Sequence, residues 1–552
     1  MTAADIPQIC FDDELFMGLR LGYGEAFLKI TRQCNNRCRF CCDRTFQDGH
    51  EYPVAQAVAT LKQGRGHGLK NVVFSGGEPT VHSAFLELLE EAGRLGYERI
   101  SVITNGRYFY YEQACWRAMI AGMTTAVITL LADEAETHDF LCGVPGAFEQ
   151  SVTAVRNLVS LRPSLASVVI TVTRPVVARL PRIVGFVRAL GVGGVALHRV
   201  APLPWVAADP EVFFEPEQAR APLREALVEV ERLGLGLTVK NFPPNFLEGY
   251  EHLITESEEF FPEVRDTEKR LPLFRSQIDP ALAPHCAELD CDTCYRQPFC
   301  EFLRSLNRCV RQKQYDALLV RVDVCGEAQV KFVERSDRPV HLRGGSPEQL
   351  EGFAWERGWL ERVEGLELDE PASGSLRERW PALRTVTVAW SKGLAAFLKA
   401  NATLEVVVAV NQATRKFVAS QRSLLTDRDP AVVLALRNHE RLRGVRKQEL
   451  DLRFFFDRLG DEAGDGAGLT VQNLPLCLAP AATHRPRRRV LDVAVIGEDG
   501  ELDPLEVCHV FLRDGWYDHS HRCEECRHRD GCEGLPLNQL TVFGYQQLEP
   551  IR

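Results

Sequence analysis

The chain alternates short apolar runs with longer mixed stretches. Phe27–Thr31, Asn71–Phe74, Arg99–Thr104, Ala126–Leu131, Val168–Thr173 and Val195–Val200 are short runs rich in β-branched and aromatic residues. Runs of that length predict strands, not helices. Helix-length stretches separate them, such as Ala84–Leu95 and Pro181–Leu190. Strand–helix alternation of this kind predicts a parallel sheet or barrel. Polar residues gather just after the predicted strand ends, where parallel α/β folds place their sites. No stretch of about 20 apolar residues interrupts the pattern, so no membrane span is expected.

The 552 residues leave room for several domains, and 45% apolar with 26% charged residues suits a protein that buries a substantial core. The formal net charge of −11 argues against a nucleic-acid binder held mainly by phosphate contacts. The opening residues lack the basic and apolar regions of a signal peptide, so a cytoplasmic location is expected. Thiols stay reduced there. The 18 cysteines therefore read as including metal ligands, not as a disulfide framework. They concentrate in three groups, Cys34–Cys42, Cys286–Cys300 and Cys508–Cys532, each in a Gly-, Pro- or charge-rich stretch.

In the first group, Cys34, Cys38 and Cys41 follow the strand-like run Phe27–Thr31. Three thiolates at that spacing can reach three corners of one cubane iron–sulfur cluster, leaving the fourth iron open to an external ligand. Cys42 adjoins Cys41 and reads as a non-ligand. A second element, Ser75, Gly76, Gly77, Glu78 and Pro79, follows the next strand. Two glycines there let the backbone approach a ligand closely, and Glu78 could hold an amino group.

Together these residues resemble the radical S-adenosylmethionine (SAM) superfamily. Cys34, Cys38 and Cys41, with the aromatic Phe40 before the last cysteine, resemble its cluster motif. Ser75–Pro79 resembles its segment for the methionine amino group. Residues 136–148 resemble the loop after the fourth barrel strand in maturase-type members. The resemblance covers roughly residues 24 to 302 and implies a partial, TIM-like (β/α)6 barrel. It further implies a [4Fe-4S] cluster binding SAM at its open iron, and an external electron donor of flavodoxin or ferredoxin type. Reductive cleavage of SAM would give a 5′-deoxyadenosyl radical that abstracts hydrogen from substrate. By position, Thr104, Asn105, Thr129 and Arg174 are candidates for SAM contacts, with strand-end capping as the alternative.

The second half carries an internal repeat. Gly236-Leu-Thr-Val-Lys-Asn-Phe-Pro243 returns as Gly468-Leu-Thr-Val-Gln-Asn-Leu-Pro475, and Cys291, Cys294 and Cys300 return at the same interval as Cys523, Cys526 and Cys532. Gly344-Gly345-Ser346-Pro347 echoes Gly76-Gly77-Glu78-Pro79. This half reads as a degenerate α/β copy. It keeps only Cys325 where three thiolates would be needed, with Gln329 and Phe332 near the other ligand positions.

Two four-cysteine sets are candidates for auxiliary [4Fe-4S] clusters: Cys286, Cys291, Cys294 and Cys300, then Cys508, Cys523, Cys526 and Cys532. Each part resembles the region that follows the barrel in SPASM-type maturases. Tetrahedral zinc is the rival at both sites. The fourth ligands are open, because Cys286 and Cys508 do not correspond in the repeat; Cys309, Cys477, His285 or His521 could substitute. The expected organisation is an extension over 1–23, a catalytic barrel over 24–270, an auxiliary region over 271–311, the degenerate copy over 312–500 and a second auxiliary region over 501–552. The expected substrate is a ribosomally made peptide or protein. A small metabolite or a non-catalytic iron–sulfur scaffold are the alternatives.

Overall fold

The computed structural model describes residues 17–20, 24–44, 47–254, 297–368, 372, 374–437, 439, 441–463, 468–486 and 489–552. The chain divides into two compact units, Met1–Gln297 and Pro298–Arg552.

The first unit is built on strands β1 (Met17–Arg20), β2 (Glu25–Lys29), β3 (Asn71–Ser75), β4 (Arg99–Thr104), β5 (Thr125–Thr129), β6 (Ala166–Val172), β7 (Gly194–Arg199) and β8 (Gly236–Lys240). They lie side by side in chain order. β1 is antiparallel to β2, and β2 through β8 are all parallel. Strand–helix–strand crossovers are right-handed, so an order without reversal puts every crossover helix on one face. The sheet curls as an open, partial barrel, with β1 and β8 at its two edges. β2 to β7 are the six strands expected from sequence, and β8 adds a seventh parallel strand. Consecutive burial of Val168, Val169 and Ile170 marks β6 as covered on both faces. The helix Phe85–Arg94 buries Phe85, Leu88, Leu89 and Ala92, the single stripe that a helix on the outside of a sheet presents inward.

The second unit is built on a sheet whose nine strands are all parallel: β9 (Ala317–Arg321), β10 (Val340–Arg343), β11 (Val363–Leu368), β12 (Thr385–Val388), β13 (Glu405–Ala409), β14 (Val433–Ala435), β15 (Thr470–Gln472), β16 (Thr483–Arg485) and β17 (Val490–Asp492). β9 to β16 follow chain order, and β17 returns to pair with β9. So β9 to β15 repeat the order and direction of β2 to β8. The likeness extends to backbone detail. Asn241 after β8 and Asn473 after β15 both sit at positive φ, 66° and 58°. That conformation is uncommon outside glycine but tolerated by asparagine. A 3-10 turn follows each, Pro244–Leu247 and Leu476–Leu478. Glu78 caps the 3-10 turn that begins at Pro79, and Ser346 the α-helix that begins at Pro347. The units differ after their first parallel strand. Where the first unit sends β2 into the cysteine loop, the second forms the helix Glu327–Glu334. Gln329 on that helix accepts from the Gly326 amide and donates to the Ile496 carbonyl.

A short antiparallel pair, β18 (Tyr517–Asp518) and β19 (Leu535–Pro536), brackets the last cysteines. Nearby, Arg513 is buried with its guanidinium 2.8 Å from Asp492 and 2.6 Å from Asp514. Removing the cation leaves the equally buried Asp492 carboxylate uncompensated. Arg513→Leu is therefore expected to destabilise the second unit by about 3–5 kcal/mol. Chemical denaturation checks this, and a loss below about 1 kcal/mol would refute the account. Among the described residues, no helix is long and apolar enough to cross a membrane.

Candidate active site

The cysteine loop leaves β2 and is fastened on two sides. On one side, Ile30 donates to the Ser75 carbonyl (3.0 Å), Gly77 to Thr31 (2.7 Å) and Glu78 to Gln33 (2.7 Å). These bonds run strand-like between the loop and the end of β3, and only glycine permits them. A Cβ at Gly77 would stand 2.2 Å from the Gln33 carbonyl oxygen, and one at Gly76 2.4 Å from that of Thr31. The glycine pair thus admits the cysteine loop itself. On the other side, Arg37 and Arg39 donate to the carbonyls of Cys142 (2.9 Å) and Leu141 (3.0 Å), at the end of the helix Ala135–Cys142.

The loop brings Cys34, Cys38 and Cys41 together. Cys38 responds to the charge of Cys41, Cys34 and Cys142, and Cys41 to that of Cys34. Yet no three of these sulfurs lie within 4.8 Å of one another; among the described residues only His138, Asp139 and Cys142 form so tight a set. Tetrahedral zinc, with bonds of about 2.3 Å, would draw its sulfurs to about 3.8 Å apart. The three sulfurs are not drawn as close as that. Burial pushes the thiols of Cys34 and Cys41 up to about 11 and that of Cys38 well above its ordinary value. Cluster binding must therefore displace their protons. Cys34 Sγ accepts from the Asn36 amide (3.4 Å) and Cys41 Sγ from Gln47 (3.6 Å), the kind of contact that tunes a cluster's potential.

Glu78 is 1% exposed. Its carboxylate accepts from the amide and hydroxyl of Thr80 (3.2 and 2.6 Å), the Thr104 hydroxyl (2.7 Å) and the Asn105 amide (2.7 Å). Burial raises its pKa and these four donors oppose the rise. Glu78 therefore ties the end of β3 to the end of β4. Asn105 continues the chain of contacts, donating to Asn35 Oδ1 (2.6 Å) in the cysteine loop. Thr129 ends β5, half-buried. Arg174 follows β6, where its guanidinium donates to the Phe213 carbonyl (2.8 Å).

Two arginines that sequence reasoning missed hold the same loop. Arg107 donates to the Asn35 carbonyl, to Asn36 Oδ1 (3.1 Å) and to Gln150 Oε1 (2.6 Å), and its charge favours the Cys34 thiolate. Arg39 pairs with Asp209 (2.7 Å) and Glu211 (2.9 Å) beyond β7, and lies over the Phe140 ring at 4.3 Å. Asp139 accepts from the Gly146 and Phe148 amides (2.6 and 2.8 Å) and so caps the start of the helix Ala147–Leu161.

His138 is 1% exposed, and burial pushes its pKa down to about 4 against a weaker pull from Asp139. In the unfolded chain it titrates near its ordinary value of about 6.5, so the unfolded state binds the extra proton between those values. The first unit should hold its full stability above pH 6.5 and lose up to about 3 kcal/mol as pH falls from there toward 4. His198, shifted down the same way, adds to the slope. Denaturation of His138→Phe across that window checks it: the slope should shrink, and an unchanged slope would refute the assignment.

Of the auxiliary candidates, Cys286, Cys291 and Cys294 lie outside the described residues. Cys300 sits on the helix Gln297–Arg311 and Cys508, buried, on the helix Pro504–Val510. The thiols that act on Cys523 are Cys477, Cys532 and Cys526.

Residues 28–177 match the Radical SAM superfamily. The first unit carries a radical SAM domain. That domain contains the cysteine loop, the glycine pair and β2 to β6. A probable GTP 3′,8-cyclase of Saccharolobus solfataricus is 28% identical over 136 residues, 24% of this chain and 43% of that protein. An AdoMet-dependent heme synthase of Oleidesulfovibrio alaskensis is 30% identical over 132 residues, 24% of this chain and 34% of that protein. The chain thus spans less than half the length of these relatives. Among solved structures, Streptococcus suis SuiB bound to S-adenosylmethionine overlaps 43% of this chain and 54% of its own, at 14% identity and a TM-score of 0.36. Native anSMEcpe with bound AdoMet and Kp18Cys peptide overlaps 39% of this chain and 62% of its own, at 15% identity and a TM-score of 0.34.

Proposed function

We propose that this protein is a radical SAM enzyme acting on a ribosomally made peptide or protein. The observation that carries the radical chemistry is the trio Cys34, Cys38 and Cys41, brought together on one loop that is fastened to the C-terminal end of β3. Bound there, a [4Fe-4S] cluster and SAM supply a 5′-deoxyadenosyl radical from one electron of an external donor. The chain's own residues hold the three thiols in place. Gly76 and Gly77 dock the loop on β3, Glu78 fixes the ends of β3 and β4, and Arg107 offsets the negative charge of the thiolates. Asn105, Thr129 and Arg174, at the ends of β4, β5 and β6, are in this reading the candidates for contacts with SAM.

The second unit is, in this reading, a degenerate copy. Its shared strand order and the matched Asn241 and Asn473 conformations support descent from a common unit. The helix Glu327–Glu334 fills the place of the cysteine loop, so the copy keeps no three-thiolate site there and is assigned to substrate or partner binding. The peptide assignment rests on the maturase-like segment 136–148. A small-metabolite substrate is the second reading, favoured by the curated relatives, both named for small-molecule chemistry.

Anaerobically reconstituted protein given SAM and dithionite should form 5′-deoxyadenosine; none would overturn the radical reading. A synthetic peptide encoded by a short reading frame beside the gene should raise that rate and gain a mass change. If it does neither while small metabolites do, the substrate is a metabolite.

A further inference from the structure

The second unit contains a thiol group that the sequence pattern alone does not assemble. Cys523, Cys526 and Cys532 lie on the loop between β18 and β19, within the 3-10 turn His521–Glu525 and beside the turn Arg529–Gly531. Cys477 reaches them from elsewhere, on the 3-10 turn Leu476–Leu478 after β15. Three features bring the two segments together. Tyr517, next to the cysteine loop, donates to Asn473 Oδ1 at 3.0 Å. The chain's last residues lie against both: Arg527 donates to the Ile551 carbonyl (3.0 Å), and Arg522 to those of Tyr545 (3.1 Å) and Leu548 (3.0 Å). The Glu549 amide donates to Cys477 Sγ, and Arg453 joins the Glu549 carboxylate (2.6 Å) to the Cys477 carbonyl (3.4 Å).

We infer that Cys477, Cys523, Cys526 and Cys532 form a four-thiolate [4Fe-4S] site in the second unit. Cys477 responds to the charge of Cys532 and Cys526, Cys523 to that of all three others and Cys532 to that of Cys526, yet no three of these sulfurs lie within 4.8 Å of one another. As in the first unit's trio, no three sulfurs are drawn to the roughly 3.8 Å separation that a single tetrahedral zinc would impose. The Gly534 amide donates to Cys532 Sγ at 3.4 Å, as the Asn36 amide does to Cys34. Four thiolates cap every iron, so the site is a one-electron centre with no open position, unlike the three-thiolate loop of the first unit. In the first copy the position matching Cys477 is Asn245, so this ligand belongs to the second copy alone. The site goes beyond the radical chemistry proposed above and does not depend on it.

The test uses the full chain with Cys34, Cys38 and Cys41 changed to alanine, which removes the first unit's cluster from the count. After anaerobic reconstitution with iron and sulfide, Cys477→Ala and Cys526→Ala should each lower iron by about four per chain. The double variant should lose no more than either single, because both remove one cluster. Cys477→Ser, the conservative exchange, should lose the iron or shift the g values of the reduced protein's EPR signal. Parent iron content with an unchanged EPR spectrum in the Cys477 variants would overturn the inference. So would losses that add in the double variant, or one zinc per chain that Cys526→Ala releases. 5′-Deoxyadenosine formation by the unmodified protein reports on the radical reading separately.

Discussion

Cys38→Ala is expected to abolish 5′-deoxyadenosine formation, reducing it to the uncatalysed background. Cys38 is the middle ligand of the trio, and its thiol is the one coupled to both others. Removing it leaves Cys34 and Cys41, two anchors for a cluster that needs three. Replacement by a neighbour is not available. Cys142 acts on the Cys38 thiol but is buried against His138, 3.8 Å away, and its helix already supports the loop through backbone bonds. The loss should be specific to the cluster. Fold-maintaining bonds from Arg37, Arg39, Gly77 and Glu78 use backbone atoms and survive the substitution. The measurement is 5′-deoxyadenosine per chain after reconstitution, alongside thermal unfolding of the protein before reconstitution. A variant that unfolds like the parent and makes no product fits; one retaining even a tenth of the parent rate would remove Cys38 from the ligand set.

The barrel and its chemistry were readable from local sequence because each strand is a short apolar run and the cysteines are close in the chain. β2 to β7 fall where periodicity put them, and the parallel order followed from strand–helix alternation. Other features were not readable because they are long-range. Arg39 meets Asp209 and Glu211 across about 170 residues, and Arg107 meets the cysteine loop across about 70. Neither contact leaves a spacing to detect. β8 is a partly exposed edge strand, and its run Gly236–Lys240 carries little apolar signal. The role of the glycine pair was read as approach to a ligand; the geometry shows that its nearest neighbour is the cysteine loop's own backbone. Cys477 stood among several possible fourth ligands, since a repeat identifies only what both copies keep, and its counterpart Asn245 is not a thiol.

That crowding makes Gly77→Ala the second large effect. The backbone at Gly77 is not in the left-handed region, so an alanine there carries no conformational strain of its own. The penalty is steric. The added methyl would stand 2.2 Å from the Gln33 carbonyl oxygen, 2.6 Å from its carbon and 2.9 Å from the Arg32 oxygen. All three are backbone atoms, so no side-chain rotation relieves the overlap. The cysteine loop must move away from β3, breaking the Gly77–Thr31 and Glu78–Gln33 bonds and carrying Cys34, next to Gln33, with it. A misplacement of about 1 Å at reacting groups costs on the order of 100-fold in rate. A 5′-deoxyadenosine rate at least 100-fold below the parent is therefore expected. Gly185→Ala is the matched control. It lies inside the helix Leu180–Ala189, where the nearest atom to an added methyl is the Glu229 carboxylate at 3.8 Å. An alanine in a helix interior stabilises by roughly 0.5–1 kcal/mol over glycine, and the rate should be unchanged. If Gly77→Ala kept the parent rate, the close approach of the loop to β3 would not be what holds the cysteines in register.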